Sequence, residues 1–177
     1  IFVSGRIMTL GITTSRGTTP LMSANDRSRW TTIRALGDHH RYAIDEVIVD
    51  DSNGSYWDTI DKVQHADREG TPHYYSSKPP LLPTVMSWLY RAVKSATGLN
   101  LREQPLPVVR IMLLVIHAIP WVIYLMLLGK TLESVAARDW SRYYILAVAG
   151  FGTYLSTFAI TLNNHLPAAI CVMVATF

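Results

Sequence analysis

An uncharged run from Ile111 to Leu128, eighteen residues long, limits this chain more than any other feature. A stretch of that length and character falls in the range of a membrane-crossing helix. Its one proline, Pro120, is tolerated in such helices. A second uncharged run extends from Tyr143 to Leu162, where Gly152 and Ser156 form a small-xxx-small packing face. A third begins at Leu166, just after Asn163-Asn164-His165. Residues 1–12 are apolar apart from Ser4, Arg6 and Thr9. They read as the last turns of a first membrane helix or as the remains of a signal peptide. The helix fits better, because Arg6 near its end can snorkel to the interface. With Ile1 at one end and Phe177 inside an apolar run at the other, the chain is expected to be an internal piece of a longer protein.

The charges are sparse and uneven. They make up 16% of the chain, against roughly 25% in soluble domains, and most precede Arg110. The expected fold is therefore mainly α: a multi-pass transmembrane helical protein whose external loop carries two interfacial amphipathic helices and a small β element. Residues 1–12 end a truncated first span, and 13–106 form the external loop. Residues 107–128 and 143–162 are transmembrane helices joined by a cytoplasmic loop, 129–142. Residues 163–177 are an external turn and the start of a truncated span. The connector 129–142 holds Lys130, Arg138 and Arg142, so the positive-inside rule puts it in the cytoplasm. The long loop and the turn at 163–165 then share the outer face. A net charge of +3 with scattered basic residues gives no nucleic-acid footprint. The lone Cys171 excludes a disulfide framework and a cysteine zinc site, and its apolar surroundings predict a buried, inert thiol.

Within the loop, residues 13–22 read as a Thr/Gly/Pro-rich connector. Ser23 then opens a capping pattern, with an acid, Asp26, at the fourth place. The helix it starts is expected over about 24–36, stopping at Gly37, with Trp30, Ile33 and Leu36 on one face. From Arg41 to Ser77 short strands are expected: Tyr42 to Val49, a turn at 50–54, then Thr59 to His65 pairing with His73 to Ser76. The acids here do not have calcium-loop spacing, and His39, His40, His65 and His73 lack metal-ligand spacing. Asn53-Gly54-Ser55 matches a glycosylation sequon, a motif too short to carry weight. A second amphipathic helix is expected over about 79–97, closed by Gly98, with Leu82, Val85, Met86, Leu89 and Val93 on one face.

Lys78 stands before Pro79-Pro80, which holds it in extended backbone at the entrance to that helix. Helix N-termini favour anions, so the position suits a phosphate. It equally suits a solvated lysine in a Pro-rich turn.

Asp26-Arg27-Ser28-Arg29-Trp30 on a first interfacial helix, Ser77-Lys78-Pro79-Pro80-Leu81 at a second, and membrane helices after them together resemble the N-terminal part of GT-C glycosyltransferases. In pattern the chain is most similar to bacterial aminoarabinose lipid A transferases and protein O-mannosyltransferases. The resemblance implies a membrane enzyme that moves a sugar from a polyprenyl-phosphate donor to an unknown acceptor on the extracytoplasmic side of a plasma membrane. Asp26 matches the family acid that orients or deprotonates the acceptor, with Arg29 and Trp30 following in the family pattern. Lys78 matches the lysine that binds the donor phosphate, and Arg29 becomes a second phosphate contact or the partner of Asp26. Without the resemblance, Asp26 and Arg29 read as an ordinary i,i+3 surface pair. Two positions depart from the pattern: Ser76 where aminoarabinose transferases have a glutamate, and His165, beside Asn164, where many relatives have an aspartate. His165 either donates to a phosphate or takes a proton, or it caps or packs the helix. No cofactor is expected, and a divalent metal remains an option. An inactive lipid-carrier binder and a transporter with a structural loop are the alternatives.

Overall fold

The computed structural model describes residues 2–14, 17–49 and 56–177. The expected turn at 50–54 and the sequon at 53–55 lie outside them. The chain divides into two compact units, one of Leu10–Met112 and one of Ile1–Thr9 with Leu113–Phe177.

The first unit opens with an antiparallel hairpin of β1 (Ile12–Thr14) and β2 (Gly17–Thr19), where an irregular connector was expected. Helix α2 (Ala24–Arg34) follows, and the Ser23 side chain caps it by accepting from Asp26 N–H. The helix does not stop at Gly37. It continues as a wide π-type turn over Ala35–His39 and ends at His40, whose φ of 58° is left-handed. Gly37 serves another purpose: a Cβ there would lie 2.3 Å from Tyr90 Cδ1, so the missing side chain lets the Tyr90 ring seat against the turn. The segment expected as a strand from Tyr42 forms a short helix instead, α3 (Asp45–Val49). Asp45 Oδ1 accepts Tyr74 N–H at 3.0 Å and Ile44 N–H donates to Tyr74 O at 2.8 Å, tying this helix to the next hairpin. In that hairpin β3 (Lys62–Ala66) pairs antiparallel with β4 (Pro72–Ser76), Gln64 opposite Tyr74.

Helix α4 (Leu81–Thr97) ends at Gly98, whose φ of 74° closes it. It buries Pro83, Met86, Tyr90 and Val93 against α2 and the π-type turn. Leu81, Val85 and Trp88 stay exposed, so the buried stripe is rotated from the one the hydrophobic pattern indicates. Trp30, Ile33, Trp57 and Leu101 complete the core.

The second unit contains α1 (Phe2–Met8), most of the helix formed by α5 (Pro105–Leu113), a π-type turn (Leu114–Ala118) and α6 (Ile119–Val135), then α7 (Asp139–Phe151), α8 (Leu155–Phe158) and α9 (His165–Thr176). The multi-pass architecture expected above is overturned here. Among the described residues one helix, Pro105–Val135, is long and apolar enough to cross a membrane. Its 31 residues reach about 46 Å against the ~30 Å of a hydrocarbon core. The 13 residues of α7 reach only about 20 Å.

The physical reason is helix breaking inside the uncharged runs. Between 143 and 162 the chain leaves its helix at Gly152, makes the single turn α8, and turns again before α9. Asn163 fixes that second turn by donating Nδ2 to the carbonyls of Phe158 and Thr161, at 2.6 and 2.7 Å. Inside this unit His117 is fully buried and donates Nδ1–H to Ala159 O at 2.8 Å. Cys171 is exposed, because α9 presents it outward rather than to a core.

Candidate functional site

Asp26 and Lys78 belong to one unit, and a polar chain leads from Ser28 of α2 to Lys78. Ser28, one turn into α2, donates its hydroxyl to the Asp61 carbonyl at 2.7 Å and lies 2.6 Å from Ser76 Oγ. Since the Ser28 proton goes to Asp61, the Ser76 hydroxyl donates to Ser28. Ser76 Oγ in turn accepts Lys78 N–H at 3.1 Å, which fixes the backbone that carries the lysine. Lys78 Nζ then reaches Asp61 Oδ1 at 3.2 Å. The position where the resemblance implies a glutamate thus holds a serine that threads the strand end to α2. The acid beside the lysine comes from Asp61, just before β3. No sequence spacing pointed to Asp61, because it reaches Lys78 only through the pairing of β3 with β4.

Asp26 is 2% exposed. One carboxylate oxygen accepts Met22 N–H at 2.9 Å and the other accepts Trp30 Nε1–H at 3.0 Å. This acid therefore anchors the first turn of α2. Arg29 is half-buried, with Nη1 donating to Asn25 O at 3.2 Å and Nε buried without a hydrogen-bond partner. Burial pulls its pKa down, and the charges of Asp26 and Asp61 oppose that pull. Arg29 therefore stands in the field of both carboxylates.

Lys78 and Ser76 line a cavity of about 410 Å³ whose other walls are Thr32, Tyr42, Tyr75 and Pro80. Its size and its mix of aromatic walls with one cation match a small-molecule site. A larger cavity in the same unit, about 570 Å³, is lined by Arg34, Asp38, His39, Glu46, Lys94 and Arg102 among others. There Asp38 already takes Lys94 at 2.7 Å and the Tyr90 hydroxyl at 3.0 Å, while Glu46 takes His39 at 2.6 Å and Arg41 at 3.0 Å. Burial and the neighbouring Asp38 carboxylate raise the Tyr90 pKa, so the phenol stays a donor. These charges compensate one another and hold the turn after α2.

Asn164 and His165 belong to the other unit, at the start of α9. Asn164 makes no side-chain cap, and the His165 ring lies on Phe158 with centroids 4.5 Å apart. Among the described residues no three of His, Cys, Asp and Glu converge as a metal set. Comparison with protein-family models, with curated proteins and with solved structures finds no match.

Proposed function

We propose that this chain is part of a membrane-associated glycosyltransferase that takes its sugar from a polyprenyl-phosphate donor. The observation that carries the reading is Lys78: an ammonium group on the wall of an aromatic-lined cavity, paired with the Asp61 carboxylate. A lipid-linked phosphate needs both features, a cation for its head and apolar walls for its first isoprene units. One helix long and apolar enough to cross a membrane supports the setting, since only 22% of its most apolar window is buried. Lys130 lies near the end of that helix, and Arg138 and Arg142 follow it. By the positive-inside rule the residues before it, Asp26 and Lys78 among them, face away from the cytoplasm.

In the proposed reaction the acceptor oxygen bonds to the sugar C1 while the bond from C1 to the phosphate oxygen breaks. The electron pair stays on the phosphate, where Lys78 and Arg29 stabilise the developing charge. The acceptor proton passes to a carboxylate on the opposite side, the role assigned to Asp26, and the sugar inverts. Acceptor access to Asp26 requires the Met22–Ser23 segment to release one carboxylate oxygen. That burial favours a second reading, an inactive binder of the same lipid phosphate.

Sugar transfer from radiolabelled polyprenyl-phosphate donors by the chain in membranes separates the two. Lys78→Ala is expected to cut transfer at least a hundredfold with the thermal transition retained. Asp26→Asn is expected to cut it similarly while lowering the transition, because the new amide loses one of the two acceptors that anchor α2. Saturable binding of the lipid without transfer of any sugar would leave the binder as the right reading. Full transfer by Lys78→Ala would refute the site.

A further inference from the structure

The charge count around Lys78 bears on which phosphate the site keeps, an inference that rests on the donor reading above. Lys78, the cation on the cavity wall, lies 3.2 Å from the Asp61 carboxylate, so its charge is already partly offset before any phosphate arrives. The donor is a phosphodiester carrying one negative charge. When its sugar leaves, the bond from C1 to oxygen breaks, the electron pair remains on the phosphate, and the product is a monoester. A phosphate monoester carries about −1.5 to −2 near neutral pH. The added charge therefore appears beside a lysine that already has a resident anion 3.2 Å away.

We infer that Asp61 is the specificity residue of this site: its carboxylate, held against Lys78, disfavours the monoester product relative to the diester donor and so drives product release. The position of Asp61 does not depend on its ion pair. Its carbonyl accepts the Ser28 hydroxyl at 2.7 Å and Ser77 N–H at 3.2 Å. Both bonds survive replacement of the side chain, so Asp61→Asn removes the charge and keeps the scaffold. Asp61 touches neither the sugar nor the acceptor in this account, and it acts through Lys78.

The test compares two ligands with the same chain and different charge, farnesyl phosphate and farnesyl methyl phosphate, on the full chain in phosphatidylcholine nanodiscs. Asp61→Asn is expected to bind the monoester roughly tenfold tighter and the diester only a few-fold tighter, from the loss of a nearby like charge. Asp61→Glu, which keeps the charge, is expected to retain the parent's ratio of the two affinities. A simple scaffold role would weaken both ligands in Asp61→Asn and leave their ratio unchanged, and that result overturns the inference while the donor reading stands. Failure of the parent chain to bind either ester would overturn the donor reading and this inference with it.

Discussion

At the scale of single residues, the local backbone settings of Lys78 and Asp26 were legible in the sequence and their tertiary surroundings were not. A pre-proline lysine at a helix entrance and an acid in a capped first turn are local patterns, and both residues occupy those places. Asp61 was invisible because its link to Lys78 depends on tertiary pairing, and Ser76 looked like a loss where it is a connector. Gly37 shows the same limit from another side. Its place after a helical pattern reads as a stop, while its actual task is to make room for Tyr90. Gly37→Ala should therefore destabilise the chain by about 1–3 kcal/mol through overpacking. A melting temperature lower by several degrees in thermal unfolding would show it. An unchanged transition would mean the Tyr90 ring moves aside at no cost.

At the scale of elements, period and punctuation located α2, α4 and the β3–β4 hairpin to within a few residues. They failed where apolar and β-branched residues served a different element. Ile44 and Val47 in the expected strand are fully buried beneath the short helix α3. The stripe on α4 was misassigned because Val85 and Leu89 continue the apolar period beyond the face that α2 covers. The β3–β4 turn has its own pH dependence. The Asp67 carboxyl lies below the usual carboxylate range, chiefly because it accepts Thr71 N–H, with Glu69 N–H and His73 adding to the effect against some desolvation. A lowered folded-state pKa stabilises the turn above the unfolded value near 3.9 and loses that contribution as pH falls further. Amide exchange at Thr71 should accelerate relative to the β3–β4 ladder below about pH 4 in the parent. In Asp67→Asn that acceleration should be absent. Equal acid sensitivity in both chains would place the effect elsewhere.

At the scale of the whole molecule, charge-free length proved a poor guide to the number of spans. Long uncharged runs were read as continuous helices, yet Gly152 and the Asn163 side chain divide the second run with no charge involved. Pro120 does not break the first, because the chain passes through a π-type turn at Leu114–Ala118 and continues as helix beyond it. One helix suited to a membrane and one aromatic-lined cavity with a lysine on its wall therefore carry the account. The cavity is proposed to receive a lipid-linked phosphate. Photo-crosslinking tests this most directly, with a diazirine-bearing isoprenyl phosphate added to the chain in bilayers and the labelled peptides mapped. Label is expected on the peptides containing Tyr42 and Tyr75–Pro80, competed by unlabelled isoprenyl phosphate and lost in Lys78→Ala. Label confined to Pro105–Val135 and α7–α9, and indifferent to Lys78, would contradict the account.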